Sequence, residues 1–163
     1  MDLPEVLVGI AEIAVALAGF TGVVVVFGSR SAGRWLEGDR LRLGFLLEAS
    51  LTAGGFSLLA LVLYSSMPNP AYAWALVSIV WAVYMLYSLF TSRQRIQHNL
   101  ESHSDIDKNA NRIVFALFSL MICVQILNAL LWREFAPVLA ALVLNLAGAA
   151  MQFSRLIRSA FQE

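Results

Sequence analysis

Residues 7–27 read LVGIAEIAVALAGFTGVVVVF, with Glu12 as the only charge. At about 1.5 Å of rise per residue, a helix of this length spans about 30 Å, the thickness of a bilayer's hydrocarbon core. A strand needs only about 10 residues to cross the same distance, so the run predicts a helix. The preceding Met1-Asp2-Leu3-Pro4-Glu5 is acidic where a secretory signal starts with positive charge. The segment is therefore expected to remain as a membrane anchor. Asp2 with Glu5 three residues later also has the form of a capping box.

Four further runs have the same character, at 43–64, 71–90, 113–132 and 136–153. Pro70 and Pro137 sit where a first-turn proline is tolerated. Composition agrees: 60% of the residues are apolar and 13% charged, against about 25% charged in a typical soluble domain. That is too little charge to cover a water-exposed surface. The expected fold is a single domain, an all-α integral membrane protein of five transmembrane helices joined by short loops. A four-span alternative would lay the first segment in the interface, but residues 13–27 hold no charge to keep them there.

Orientation follows from the basic residues, which accumulate in cytoplasmic loops. Arg30, Arg34, Arg40 and Arg42 occupy the first connection, Arg93, Arg95, Lys108 and Arg112 the third, and Arg155 and Arg158 the tail. Only Arg133 of the eleven lysines and arginines falls on the other face. The amino terminus is thus expected outside and the carboxyl terminus in the cytoplasm. In the third span, Tyr72, Trp74, Trp81, Tyr84 and Tyr87 suit an interfacial belt at the ends and packing between them.

Several function classes are excluded. A net charge of zero and the lack of a basic stripe argue against nucleic acid. Cys123 is the only cysteine, so a disulfide, a cysteine zinc site and an iron–sulfur cluster cannot form within one chain. His98 and His103 are the candidate metal ligands, near Glu101, Asp105 and Asp107. Their five-residue spacing does not put two ligands on one helix face, and no third histidine exists. Residues 29–39, with Arg30, Arg34, Trp35 and Leu36, suit the inner membrane surface as an anchor. No phosphate loop, dinucleotide fingerprint, serine elbow or zinc-protease motif is present. Neither an enzyme nor a cofactor is expected.

The first two spans share a pattern. Glu12 to Thr21 and Glu48 to Ser57 carry glutamate, glycine and phenylalanine at the same offsets, with Gly19 against Gly55 and Phe20 against Phe56. In oppositely directed spans this would form a small inverted repeat, a device that transporters place around a midplane site. Coincidence among few residue types is the competing explanation. By helical geometry Glu5, Glu12, Ala16, Gly19 and Val23 share one face, and Gly44, Glu48, Thr52, Gly55 and Leu59 share another. Ala14, Ala18 and Gly22 form a second small strip, and with Gly19, Gly55 and Gly148 they are the candidate helix-packing positions.

A carboxylate within hydrocarbon costs about 2.5–3.5 kcal/mol on insertion scales, so a membrane acid normally faces protein or water. Glu12 and Glu48 are expected about 7 Å to either side of the midplane. Met121, Gln125, Asn128 and Trp132 share a face of the fourth helix, and Ala141, Asn145, Gly148 and Gln152 a face of the fifth. If these faces turn inward, Glu12, Gln125, Asn128, Asn145, Gln152 and Glu48 make a polar seam across the membrane. The expected function is a homo-oligomeric cation channel or proton pathway using the glutamates. The alternative is a non-catalytic subunit or scaffold of a larger membrane complex, in which the amides act as interhelical glue. Expected partners are the lipid bilayer, further copies of the chain and, under the alternative, another membrane protein. The pattern is generically similar to small bacterial multi-span membrane proteins. That resemblance carries no activity with it; from the apolar runs themselves the expected location is the cell membrane, multi-pass, the inner membrane in a bacterium.

Overall fold

The computed structural model describes residues 2–27, 37–100 and 108–161. The described chain forms α1 (Leu3–Phe27), α2 (Glu37–Ser66), α3 (Pro70–Leu100), α4 (Lys108–Leu127), a π-helical turn (Asn128–Trp132) and α5 (Phe135–Phe161). No strand occurs among the described residues. Five stretches are long and apolar enough to cross a membrane: Leu3–Val23, Arg40–Ser66, Pro70–Ser92, Arg112–Trp132 and Phe135–Arg158. Each overlaps one of the five runs read from sequence, the first lying four residues nearer the amino terminus than expected and the fifth reaching five residues further. The helices outlast the apolar runs, however. α2 starts at Glu37 and α3 continues to Leu100, so Arg40, Arg42, Arg93 and Arg95 are helical. Most of the 29–39 stretch, together with Glu101, His103, Asp105 and Asp107, lies outside the described residues.

Local chemistry sets the helix ends. The Asp2 backbone N–H donates to the Glu5 carboxylate at 3.3 Å, and the Val6 N–H to the Asp2 carbonyl at 3.2 Å. The first is the Glu5 half of the expected capping box, and the second is an ordinary helical bond to the capping residue's carbonyl. Asn69 caps α3: its Oδ1 accepts from the Ala71 N–H at 3.0 Å, while Pro70 takes the first helical position and lacks a donor to satisfy. Within the spans, Thr21, Ser65 and Thr91 donate their hydroxyl protons to carbonyls one turn back, at 2.7–3.1 Å. These three hydroxyls are thereby accommodated without an outside partner.

The helices pack in two compact units, Met1–Ser65 with Leu142–Glu163, and Ser66–Ala141. In the first, α2 buries Leu46, Ser50, Ala53, Ser57 and Ala60 completely. The alternating four- and three-residue spacing is that of a helix seam. α1 buries Leu7, Ala11, Ala14 and Thr21 at the same kind of spacing. The two helices approach closely where Gly54 meets Ala14: a Cβ on Gly54 would stand 3.3 Å from that of Ala14. Ala14 and Gly54 form the tight small-residue contact that lets membrane helices gain dispersion energy without a hydrophobic driving force.

In the second unit α3 packs on α4 and on the π-helical turn. α3 buries Trp74, Ser78, Trp81 and Met85, again at four- and three-residue steps, with Ala73, Val77 and Ala82 beside them. Trp74 rests on Phe135 with ring centroids 5.1 Å apart, joining the start of α3 to the start of α5. The outward faces of the described helices are largely apolar, with Glu12 on α1 a charged exception. Phe20, Leu51, Val62, Val83, Phe90, Leu120 and Leu131 are each more than half exposed. Such a surface suits lipid and would drive aggregation in water.

Gly54 gives a direct test of the packing. Gly54→Leu must push α1 away from α2 and should lower thermal stability by about 1–3 kcal/mol, whereas Gly44→Leu, where a Cβ meets nothing within 4 Å, should be tolerated. Thermal unfolding of both variants in the same detergent checks this; equal effects would show that the contact is not limiting.

Candidate functional site

Among the described residues, two of the places where polar side chains stand in apolar surroundings bear on the expected seam. The first is the link between α4 and α5. The α-helix of α4 ends at Leu127, and the chain widens into the π-helical turn Asn128–Trp132, closed by the Arg133 N–H donating to the Asn128 carbonyl at 2.7 Å. Arg133 adopts φ 56°, ψ 43°, the left-handed region that non-glycine residues rarely occupy. This reversal lets α5 begin at Phe135 after only Arg133 and Glu134.

Such a tight link exposes backbone groups that neither helix can bond, and the Asn128 side chain meets them. Its Oδ1 accepts from the Glu134 N–H at 2.9 Å, and its Nδ2 donates to the Glu134 carbonyl at 3.0 Å. The same Nδ2 donates to the Ser78 hydroxyl on α3 at 2.8 Å. Asn128 and Ser78 are fully buried. One turn earlier, Gln125 Nε2 donates to the Pro137 carbonyl at 2.6 Å and lies 3.8 Å from Met121 Sδ. Two side-chain amides therefore tie α4 to α3 and to the first turn of α5. At the exposed rim the Arg133 guanidinium stands 5.9 Å from the Tyr72 ring centroid, at the outer range of a cation–π contact.

The second place is in the other unit, where the two glutamates have different surroundings. Glu12 is exposed, and so are Glu5, Ala16, Gly19 and Val23 on the same face of α1. Glu48 is half-buried and engaged by neighbouring groups, as is Arg42 one and a half turns earlier. From the Ala14–Gly54 contact, Glu12 lies about 3 Å along its helix and Glu48 about 9 Å along its own. The carboxylates therefore stand at different levels and do not form a pair.

The amide positions of the expected seam are buried at Gln125, Asn128 and Asn145 and half-buried at Gln152. Gln125 and Asn128 belong to one compact unit, and Glu12, Glu48, Asn145 and Gln152 to the other. Among the packing candidates, Ala14 is buried in contact with Gly54, and Ala18 and Gly148 are half-buried. Gly19, Gly22 and Gly55 are exposed, and a Cβ on any of them meets nothing within 4 Å. Packing takes up the Ala14 end of the Ala14, Ala18 and Gly22 strip and Thr52 beside Gly55, and leaves the three glycine positions themselves open. Gly54 occupies the close approach instead, one residue from the position singled out by the repeat.

His98 belongs to α3, and His103 lies outside the described residues. Among the described residues no three histidine, cysteine, aspartate or glutamate side chains cluster as a metal site. Sequence reasoning missed Ser78, Glu134 and Asn69. Asn69 before Pro70 carries a helix-start signal; Ser78 and the main chain of Glu134 carry none.

No protein-family model matches the chain, and no curated protein or solved structure is significantly similar to it. What the fold defines is a class: a helical protein with five helices long and apolar enough to span a membrane.

Asn128 should be the most sensitive polar position in the second unit. Asn128→Leu strands the buried Ser78 hydroxyl and both Glu134 backbone groups, and should cost about 2 kcal/mol or more. Ser78→Ala should cost far less. A double-mutant cycle read by thermal unfolding should return a coupling of about 0.6 kcal/mol, the usual size between membrane helices. Full additivity would show that the Asn128–Ser78 bond contributes nothing.

Proposed function

We propose that this protein works as a homo-oligomeric membrane pathway for cations or protons, with the Glu12 faces of several α1 helices gathered around the route. One observation carries the reading. Glu12 lies in the apolar middle of α1, on a face that is exposed in a single chain. Facing lipid, that carboxylate would cost about 2.5–3.5 kcal/mol. Turned toward other copies and water, it loses that penalty, and the small residues Ala16 and Gly19 beside it permit close approach of a second helix. A ring of carboxylates at one depth attracts cations and repels anions.

In this reading Glu48 is a second acidic group, at another level. Asn145 and Gln152 are polar groups of the same unit, and Gln125 and Asn128 hold the α4–α5 link firm. The basic connections set the amino terminus outside and the carboxyl terminus in the cytoplasm of a bacterial inner membrane. No catalytic step belongs to this reading. The same exposed face also suits a non-catalytic subunit docked on a larger complex. Gentle detergent extraction separates the two, giving a closed homo-oligomer in one case and a hetero-partner in the other.

Purified protein in liposomes should pass protons or monovalent cations above the lipid-only background. Glu12→Gln should reduce that flux tenfold or more at unchanged oligomer size, with Glu48→Gln giving a smaller loss. Flux absent from the wild type, or undiminished in Glu12→Gln, would overturn the reading.

A further inference from the structure

The second unit holds an unmatched donor and an unmatched acceptor. The Trp81 indole Nε1–H on α3 and the Gln125 carboxamide Oε1 on α4 are buried and have no hydrogen-bond partner among the described residues. Each residue is only 1% exposed. In a low-dielectric interior each such orphan is costly, and orphans that occur in native proteins are commonly met by a buried water.

Helix register relates the two. The Nδ2-to-Oγ bond from Asn128 to Ser78 sets the level at which α4 meets α3. Trp81 lies three residues further along α3 and Gln125 three residues back along α4, a step of about 4.5 Å on each helix. Because these helices are adjacent and run in opposite directions, the two steps lead to the same layer. The Gln125 side chain is already held there through its Nε2, which donates to the Pro137 carbonyl at 2.6 Å. That bond fixes which end of the carboxamide is the acceptor. Trp81 offers only a donor, since an indole nitrogen accepts nothing.

We infer that Trp81 Nε1–H and Gln125 Oε1 form a binding site for one buried water molecule between α3 and α4. The water accepts from the indole and donates to the carboxamide, a pairing that neither an anion nor a metal cation satisfies, because each meets only one of the two groups. It extends the chain of polar contacts from Glu134 through Asn128 and Ser78 by one more layer. The inference does not rest on the pathway reading, since it concerns the other compact unit and needs neither oligomer nor flux.

The test uses full-length protein in lipid nanodiscs, with nitrogen-15 in the indoles of its four tryptophans. Trp81→Phe identifies the Trp81 resonance. Should that variant not fold, Trp35→Phe, Trp74→Phe and Trp132→Phe identify it by elimination. The expected result is a through-space cross-peak from the Trp81 indole proton to water, with a proton position typical of a hydrogen bond. No water cross-peak, combined with a hydrogen-bonded indole position, would mean that the indole finds a protein acceptor. No cross-peak with a free indole position would mean a dry orphan. Either outcome overturns the proposal.

Discussion

Every polar group taken out of water must find a partner, and the link from α4 to α5 is where this chain meets that demand most severely. A two-residue reversal between apolar helices leaves backbone N–H and carbonyl groups that neither helix can bond. Asn128 answers with one side chain, bonding both backbone groups of Glu134 and the Ser78 hydroxyl of the neighbouring helix. Its own carbonyl accepts the bond that closes the π-helical turn. The left-handed Arg133 is tolerated because these bonds over-determine it. Position 128 thereby fixes where α4 ends, where α5 starts and the level at which α3 meets α4.

The number and type of elements were legible in the sequence because five apolar runs of spanning length have no other low-energy use. The inward faces of the last two helices were legible only in part, since Trp132, expected on the face of Gln125 and Asn128, is half exposed beyond the π-helical turn. In a membrane helix lipid and protein interior are about equally apolar, so only polar residues give direction. Gln125, Asn128 and Asn145 mark such faces and are buried. α1 has a similar mean hydropathy all round, and nothing in its spacing shows that Leu7, Ala11, Ala14 and Thr21 turn inward while Ala16 and Gly19 remain exposed. The π-helical turn had no sequence signal either. The left-handed arginine follows from the bonds that Arg133 and Glu134 make with Asn128 within the link, against the residue's own preference.

Burial divides the repeated glutamate-glycine-phenylalanine pattern unequally. Phe56 is buried and Phe20 exposed, and Glu48 is half-buried and engaged where Glu12 is exposed. If the two segments share an origin, they no longer share surroundings. α2 supplies a completely buried seam of Leu46, Ser50, Ala53, Ser57 and Ala60, and α1 supplies a face with a carboxylate and small residues that its own chain leaves open. The functional reading rests on that difference, since an acid in a membrane span without cover is stable only where protein or water completes its surroundings.

Cysteine cross-linking in native membranes tests this central claim most directly. With Cys123→Ala as background, Gly19→Cys on the Glu12 face of α1 should give a covalent dimer on mild oxidation. Val83→Cys, on the exposed face of α3, should remain monomeric. Monomeric Gly19→Cys alongside cross-linked Val83→Cys would place the contact between copies elsewhere and contradict the account.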